Sequence, residues 1–303
     1  MASFGHMVIR GVFATAEHLA PNLAGRAAFR LFSRTPDPGR LPQREKRRLA
    51  EAREWLAEAR HHRLTTRYGV VVAHEFRPVG RPKPWPTALV LHGWRSRTEH
   101  MRQIVDGLVR AGHRVVALDL PGHGGSPGRR LHMANAVAAV ATAAEWFGPL
   151  ALIVGHSFGG AVAVNAAVGS IRGIKPVRVG RLVLIAAPSS MPAIFTSFGG
   201  FLGLGPRTQT ALADAVERLA GNPLETFVGA RQLAELPIPT LVVHAPDDRQ
   251  VAAANAEAFA AAGPHVRLSW APGQGHRRII ADPQVVGEIV RFAAPGPRLT
   301  AVS

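Results

Sequence analysis

The chain has no cysteine among its 303 residues. That excludes disulfides, a thiolate nucleophile and any cysteine-bearing metal site, and it fits a reducing compartment. No run of about 18 apolar residues occurs, which excludes a helix that crosses a membrane. Met1 to Ala14 carries His6 and Arg10 inside a mildly apolar stretch. It lacks a charged start ahead of an unbroken apolar run, so a secretory signal is not expected and a cytoplasmic location is. Acidic residues are scarce, 20 Asp and Glu against 36 Lys and Arg, for a net charge of +16. Such a balance suits nucleic acid, anionic lipid or an acidic substrate. The arginines are scattered beside Ala, Gly and Pro, with no basic stripe and no nucleic-acid motif, so no nucleic-acid partner is expected. No internal repeat is present.

The hydrophobic content of 47% is enough for a sizeable core. Residues 1–63 form an expected N-terminal helical extension. Val8, Val12, Phe13, Ala16, Leu19 and Ala20 recur at helical spacing, and a second set follows Pro21 at Leu23, Ala27, Ala28, Leu31 and Phe32. Two readings stay open for this arm: a helical pair packed on the domain, or an amphipathic arm that lies on a membrane or covers a site entrance. Pro36, Pro38, Gly39 and Pro42 mark a linker. Residues 43–60 read as a solvent-facing helix, and residues 61–77 as a strand pair turning at Gly69.

From Thr87 onward, strands and helices alternate. Strands are expected at 87–91, 114–118, 150–155, 181–187, 240–244 and 266–270. Helices are expected at 98–111, 132–147, 161–168, 251–262 and 283–292. This rhythm predicts an α/β class with a mainly parallel, doubly wound sheet. Residues 64–187 would form the first part of the core and 238–303 the second. Residues 188–237 break the alternation and read as a small lid inserted between core strands. Met191, Phe195, Phe198 and Phe201 are its candidate pocket lining, which would favour an apolar acyl or alkyl group; a purely local core is the alternative.

The chemistry centres on Leu150 to Gly160, an apolar run broken by Gly155-His156-Ser157-Phe158-Gly159 ahead of a small-residue helix. Strand, sharp turn and helix with serine at the apex is the setting of a nucleophile elbow, and glycines two residues to either side spare a collision. A serine hydroxyl needs a base. His276 lies in a loop expected between the last strand and the last helix, where open α/β sheets place their sites. An acid must orient that base. Asp247 and Asp248 both follow a strand end; loop register favours Asp248, and the other aspartate would cap the next helix. An oxyanion hole would use the backbone N–H groups of Phe158 and Trp94, with Gly93 allowing close approach. His92 is expected to brace that loop.

Together His92-Gly93-Trp94, Asp119-Leu-Pro-Gly-His-Gly-Gly-Ser126, Gly155-His156-Ser157-Phe158-Gly159-Gly160, Asp248 and His276 resemble the α/β-hydrolase superfamily over about residues 65–295, and within it the lidded esterases, lipases and thioesterases. The order serine, acid, histidine is the one that family uses. The resemblance implies an ester or thioester hydrolase with Ser157, Asp248 and His276 as its triad, acting through an acyl-enzyme. It implies a small-molecule substrate and no metal or organic cofactor. It also makes Asp119, His123 and Ser126 scaffold. Serine at the elbow sets the chain apart from the dehalogenases and epoxide hydrolases, which carry aspartate there. A perhydrolase or haloperoxidase-like activity, a serine peptidase, and a non-catalytic binding protein remain as alternatives. The substrate, the oligomeric state and the role of residues 1–40 stay open.

Overall fold

The computed structural model describes residues 4–37 and 40–294. Pro38 and Gly39 of the expected linker, and the ends of the expected first and last segments, lie outside the described residues. Phe4–Leu19 (α1) and Pro21–Phe32 (α2) are separated by Ala20. The expected helix over 43–60 is two shorter pieces, Gln43–Glu51 (α3) and Arg53–Ala57 (α4), because the chain becomes a strand at Arg60. Arg60–Thr66 (β1) and Gly69–Phe76 (β2) pair antiparallel, with Thr66 opposite Gly69.

The alternating region then follows as Thr87–Leu91 (β3), Arg102–Arg110 (α5), Arg114–Asp119 (β4), Met133–Phe147 (α6), Leu150–His156 (β5), Phe158–Val168 (α7) and Leu182–Ile185 (β6). Between β6 and the next strand come Met191–Leu202 (α8), Pro206–Ala220 (α9) and Gly229–Ala234 (α10). The chain continues with Thr240–His244 (β7), Ala254–Ala260 (α11), Val266–Trp270 (β8), Gly275–Arg278 (α12) and Pro283–Ala293 (α13). The helix expected over 251–262 is confined to α11.

Local chemistry explains the element ends. His132 and Asn135 exchange side-chain and backbone hydrogen bonds at the start of α6. Asp282 accepts the Gln284 and Val285 N–H groups ahead of Pro283, which opens α13.

One eight-stranded sheet has the order β1-β2-β4-β3-β5-β6-β7-β8. β1, β2 and β4 are joined antiparallel, and every pair from β4 to β8 is parallel. Both faces are covered, so the central strands are apolar at consecutive positions. On β3, Leu89 and Leu91 join the core on one face, while Ala88 and Val90 join the core on the other. The first core is shared with α2, α6, α7, α8 and α9, and the second with α5 and α13. Strand order reverses beside β3, and the adjacent β5 delivers Ser157 at its carboxyl end. Crevices at such reversals are where open sheets bind ligands.

Candidate active site

Ser157 has φ 53° and ψ −122°, a left-handed strained position for a residue with a side chain. Its N–H donates to Ile185 O at 2.8 Å, tying the turn to β6. The turn is tight on both sides. A Cβ at Gly155 would lie 2.4 Å from Gly159 O, and one at Gly159 would lie 2.6 Å from Leu91 O and His92 O. Glycine at both places is a steric requirement of the turn, and Ser157 is left partly exposed at its apex.

His276 Nε2 lies 3.0 Å from Ser157 Oγ, and His276 Nδ1 lies 2.7 Å from Asp248 Oδ2. With Nδ1–H donating to the carboxylate, Nε2 is free to accept the serine proton. The Asp248 side chain is fully buried. Burial alone would raise its pKa, but the Val251 N–H, His276 and the Gln250 N–H outweigh that and hold it below the usual carboxylate value. Asp247 instead accepts the Gly273 N–H at 2.8 Å. It braces the loop carrying His276 and caps no helix, contrary to expectation. His276 itself sits in the first turn of α12 rather than in an open loop.

Two buried histidines hold the surroundings. His156 donates through Nε2 to His276 O at 2.8 Å, and its pKa is pushed down to about 3 by burial and then by the nearby His276. His92 accepts the Leu120 N–H at Nε2 (3.0 Å) and donates from Nδ1 to Gly93 O (2.8 Å). Burial, and next the neighbouring His123, push its pKa to about 3 as well. Both rings are therefore neutral at pH 7. A Cβ at Gly93 would fall 2.9 Å from Ser157 Cβ, so the 92–94 loop runs against the serine. Among the described residues, neither Trp94 N–H nor Phe158 N–H has a backbone acceptor.

Asp119, His123 and Ser126 lie beside this loop. Asp119 accepts the Thr98 and Gly125 N–H groups and His74 Nε2–H. Burial would raise its pKa, but His74 and its other partners hold it well below the carboxylate range. His123 Nε2 accepts the Arg95 N–H, and Ser126 Oγ donates to Asp119 O.

Two spaces adjoin Ser157 and Phe158. An open cleft of about 550 Å³ is lined by Ser157, His156, His276 and Trp94, with a polar rim that includes Glu45, Arg48, Arg95 and Arg277. A separate apolar pocket is lined by Phe158, Met191, Phe195 and Phe227, and by Phe29 and Phe32 of α2. It holds only about 20 Å³, room for a single water. Phe198, expected in the lining, is not part of it and packs edge-on against Phe32 with ring centroids 5.1 Å apart. Phe201 does not line this space: it is 60% exposed and stacks on His6 of α1. The sequence places Phe32 in the apolar set of the arm, but it does not mark Phe29, Phe32 or the polar rim as lining. Phe29 and Phe32 lie three apart on the face of α2 that buries Ala24 and Ala28, a helical repeat that marks an inward side without saying what it faces.

A strand-turn-helix elbow on a doubly wound sheet, with an imidazole and a carboxylate in reach of the apical serine, defines a hydrolase-type site. Residues 88–289 match the Alpha/beta hydrolase family. The chain belongs to that family. A relative that shares 29% identity over 258 residues, covering 70% of this chain and 96% of its own, is the pimeloyl-[acyl-carrier protein] methyl ester esterase of Xanthomonas campestris pv. campestris. Among solved structures, Est1E from Butyrivibrio proteoclasticus superposes with a TM-score of 0.61 at 17% identity, covering 77% of this chain and 96% of that one. A hydrolase from Pseudomonas aeruginosa gives 0.58 at 22%, with 78% and 98% covered. A bromoperoxidase from Bacillus anthracis gives 0.55 at 14%, with 77% and 99% covered. At these identities the structures establish a shared fold.

Proposed function

We propose that the protein hydrolyses a small carboxylic ester, or its thioester analogue, through an acyl-enzyme on Ser157. The observation that carries this reading is the continuous hydrogen-bonded path from Asp248 through His276 to Ser157, at 2.7 and 3.0 Å. Ser157 Oγ attacks the carbonyl carbon as His276 Nε2 takes its proton. Asp248 stabilises the imidazolium and fixes its tautomer. The Trp94 and Phe158 N–H groups receive the oxyanion. The tetrahedral intermediate collapses, and the departing alcohol or thiol takes the proton from His276. Water, deprotonated by His276, then releases the acid and restores Ser157. The esterase relative supports the reaction class.

The 188–237 insertion, together with α2, forms the roof of the apolar pocket in this reading. An acyl chain that enters the pocket beside Phe158 is short in this reading, whereas one held in the open cleft at Ser157 is not so limited. The test is labelling by a fluorophosphonate probe, with turnover of p-nitrophenyl esters of increasing chain length. Wild type should be labelled and active on short esters, and Ser157→Ala should be neither. Labelling that survives in Ser157→Ala would reject the assignment.

A further inference from the structure

An ordinary surface helix hides its apolar stripe and shows its polar one, whereas α1 leaves Met7, Val8, Ile9, Val12 and Leu19 exposed. Its inward side places Phe13 in the core, with Ala16 packed against it, and is otherwise held by polar contacts. His6 Nε2 donates to Phe201 O at 2.8 Å. Arg10 Nη1 donates to Gly200 O and Phe201 O at 2.8 and 3.0 Å, at the end of α8. Glu17 accepts the Arg207 and Thr208 N–H groups, both at 2.9 Å, at the start of α9. These contacts set the rotation of the helix. At about 100° per residue, Val8, Val12 and Leu19 fall within about 40° of one another, on the side away from Glu17. They are 49%, 61% and 80% exposed. Met7 on α1 and Leu23 and Leu31 on α2 extend the exposed apolar surface.

Within residues 4–34 the exposed side-chain charge has one sign. Arg26, Arg30 and Arg34 are exposed. Between residues 4 and 34 the sequence holds a single carboxylate, Glu17, and it is occupied at α9. No helix among the described residues is long and apolar enough to cross a membrane. An apolar face flanked by arginines, on a helix too short to span, suits the boundary between headgroups and acyl chains. A second copy of the chain fits less well, because matching faces would bring the same three arginines together.

We propose that the outward face of the α1–α2 pair docks on bilayers bearing anionic phospholipids, with Val8, Val12 and Leu19 entering the interface and Arg26, Arg30 and Arg34 meeting the headgroups. This surface is independent of the reaction assigned to Ser157.

The test is co-sedimentation of the full chain with vesicles of phosphatidylcholine alone, and with one third phosphatidylglycerol. A triple variant, Val8→Ser, Val12→Ser and Leu19→Ser, leaves the charge unchanged. The wild type should partition onto the anionic vesicles, and the triple variant should lose about tenfold or more in partitioning. Arg26→Gln with Arg30→Gln should weaken binding further at low salt than at high. Thermal unfolding and turnover of a soluble p-nitrophenyl ester serve as fold controls, since none of these residues lines the cleft. Equal binding by the serine variant would overturn the proposal in favour of diffuse charge attraction. Absence of binding at low salt would overturn it outright. So would a vesicle-free dimer that the serine variant dissociates, which would make the occupant a second copy.

Discussion

Asp248 and His276 stand 28 positions apart in sequence, yet Asp248 Oδ2 lies 2.7 Å from His276 Nδ1. One residue follows β7 and the other follows β8, two parallel neighbours. The other Asp248 oxygen accepts the Gln250 and Val251 N–H groups, so the loop that supplies the carboxylate also aims it. On the proposed mechanism, Asp248→Asn keeps the shape and loses the tautomer control. Turnover should fall by about 10³–10⁴. Asp247→Asn removes only the brace to Gly273 and should cost far less. Measured kcat for the two variants on one ester decides the matter, and the reverse order would exchange their roles.

Gly93→Ala tests the loop against the serine. The added methyl would meet Ser157 Cβ at 2.9 Å and His156 at 3.2 Å, so the loop must shift. Displacing one oxyanion donor typically costs about 10²–10³ in kcat. The expected outcome is that loss, with a thermal midpoint close to wild type. Full activity in Gly93→Ala would remove Trp94 from the mechanism.

Phe32→Ala should lengthen the substrate range. Phe32 packs on Phe195 at 4.3 Å between ring centroids and on Trp94 at 6.0 Å, and it fills the pocket beside Phe158. Removing the ring opens space for a longer acyl chain. The ratio of kcat/KM for octanoate to acetate p-nitrophenyl esters should rise. An unchanged ratio would place the acyl group in the polar cleft instead.

Acid should unfold the protein through its buried histidines. His92 and His156 have pKa values of about 3 in the folded chain, down from an ordinary 6.5. The folded state thus holds them neutral while the unfolded state binds their protons. Their contribution is fully present above pH 6.5 and is lost as pH falls toward 3. Each contributes a slope of about 1.4 kcal/mol per pH unit across that window. Urea unfolding at pH 6, 5 and 4 should show the slope reduced by about that amount in His156→Gln. Equal slopes would mean that His156 takes up its proton without unfolding the chain.

Much of this was readable because it rests on local rules. The strands of the sheet announced themselves as short apolar runs, since burial on both faces leaves few polar positions. Gly155 and Gly159 were conspicuous because sterics permit nothing larger at that turn. Asp248 could be told from Asp247 only by register, and their hydrogen bonds separate them by orientation, a three-dimensional property. Ser190 caps α8 and Pro192 lies in its first turn, but Gly199 and Gly200 weaken its helical signal in the sequence. Phe201 and Phe195 look alike by residue type, whereas the rotation of α8 sends Phe195 inward and Phe201 out. Phe29 and Phe32 reach the pocket from more than 120 residues before Ser157, a contact that no local pattern announces.

Glu17 meets the N–H groups of Arg207 and Thr208 across 190 and 191 positions. In a chain made from its N-terminus, α1 and α2 emerge long before the helices that anchor them. At about 5–20 residues per second, the wait is on the order of 10–40 seconds. Over that interval Phe29 and Phe32 have nothing of their own chain to cover them, and Val8, Val12 and Leu19 stay exposed even in the native fold. The α1–α2 segment is thus made long before the helices that hold it in place. Its passage to the native state requires either a temporary apolar host or a chain that finishes faster than it aggregates.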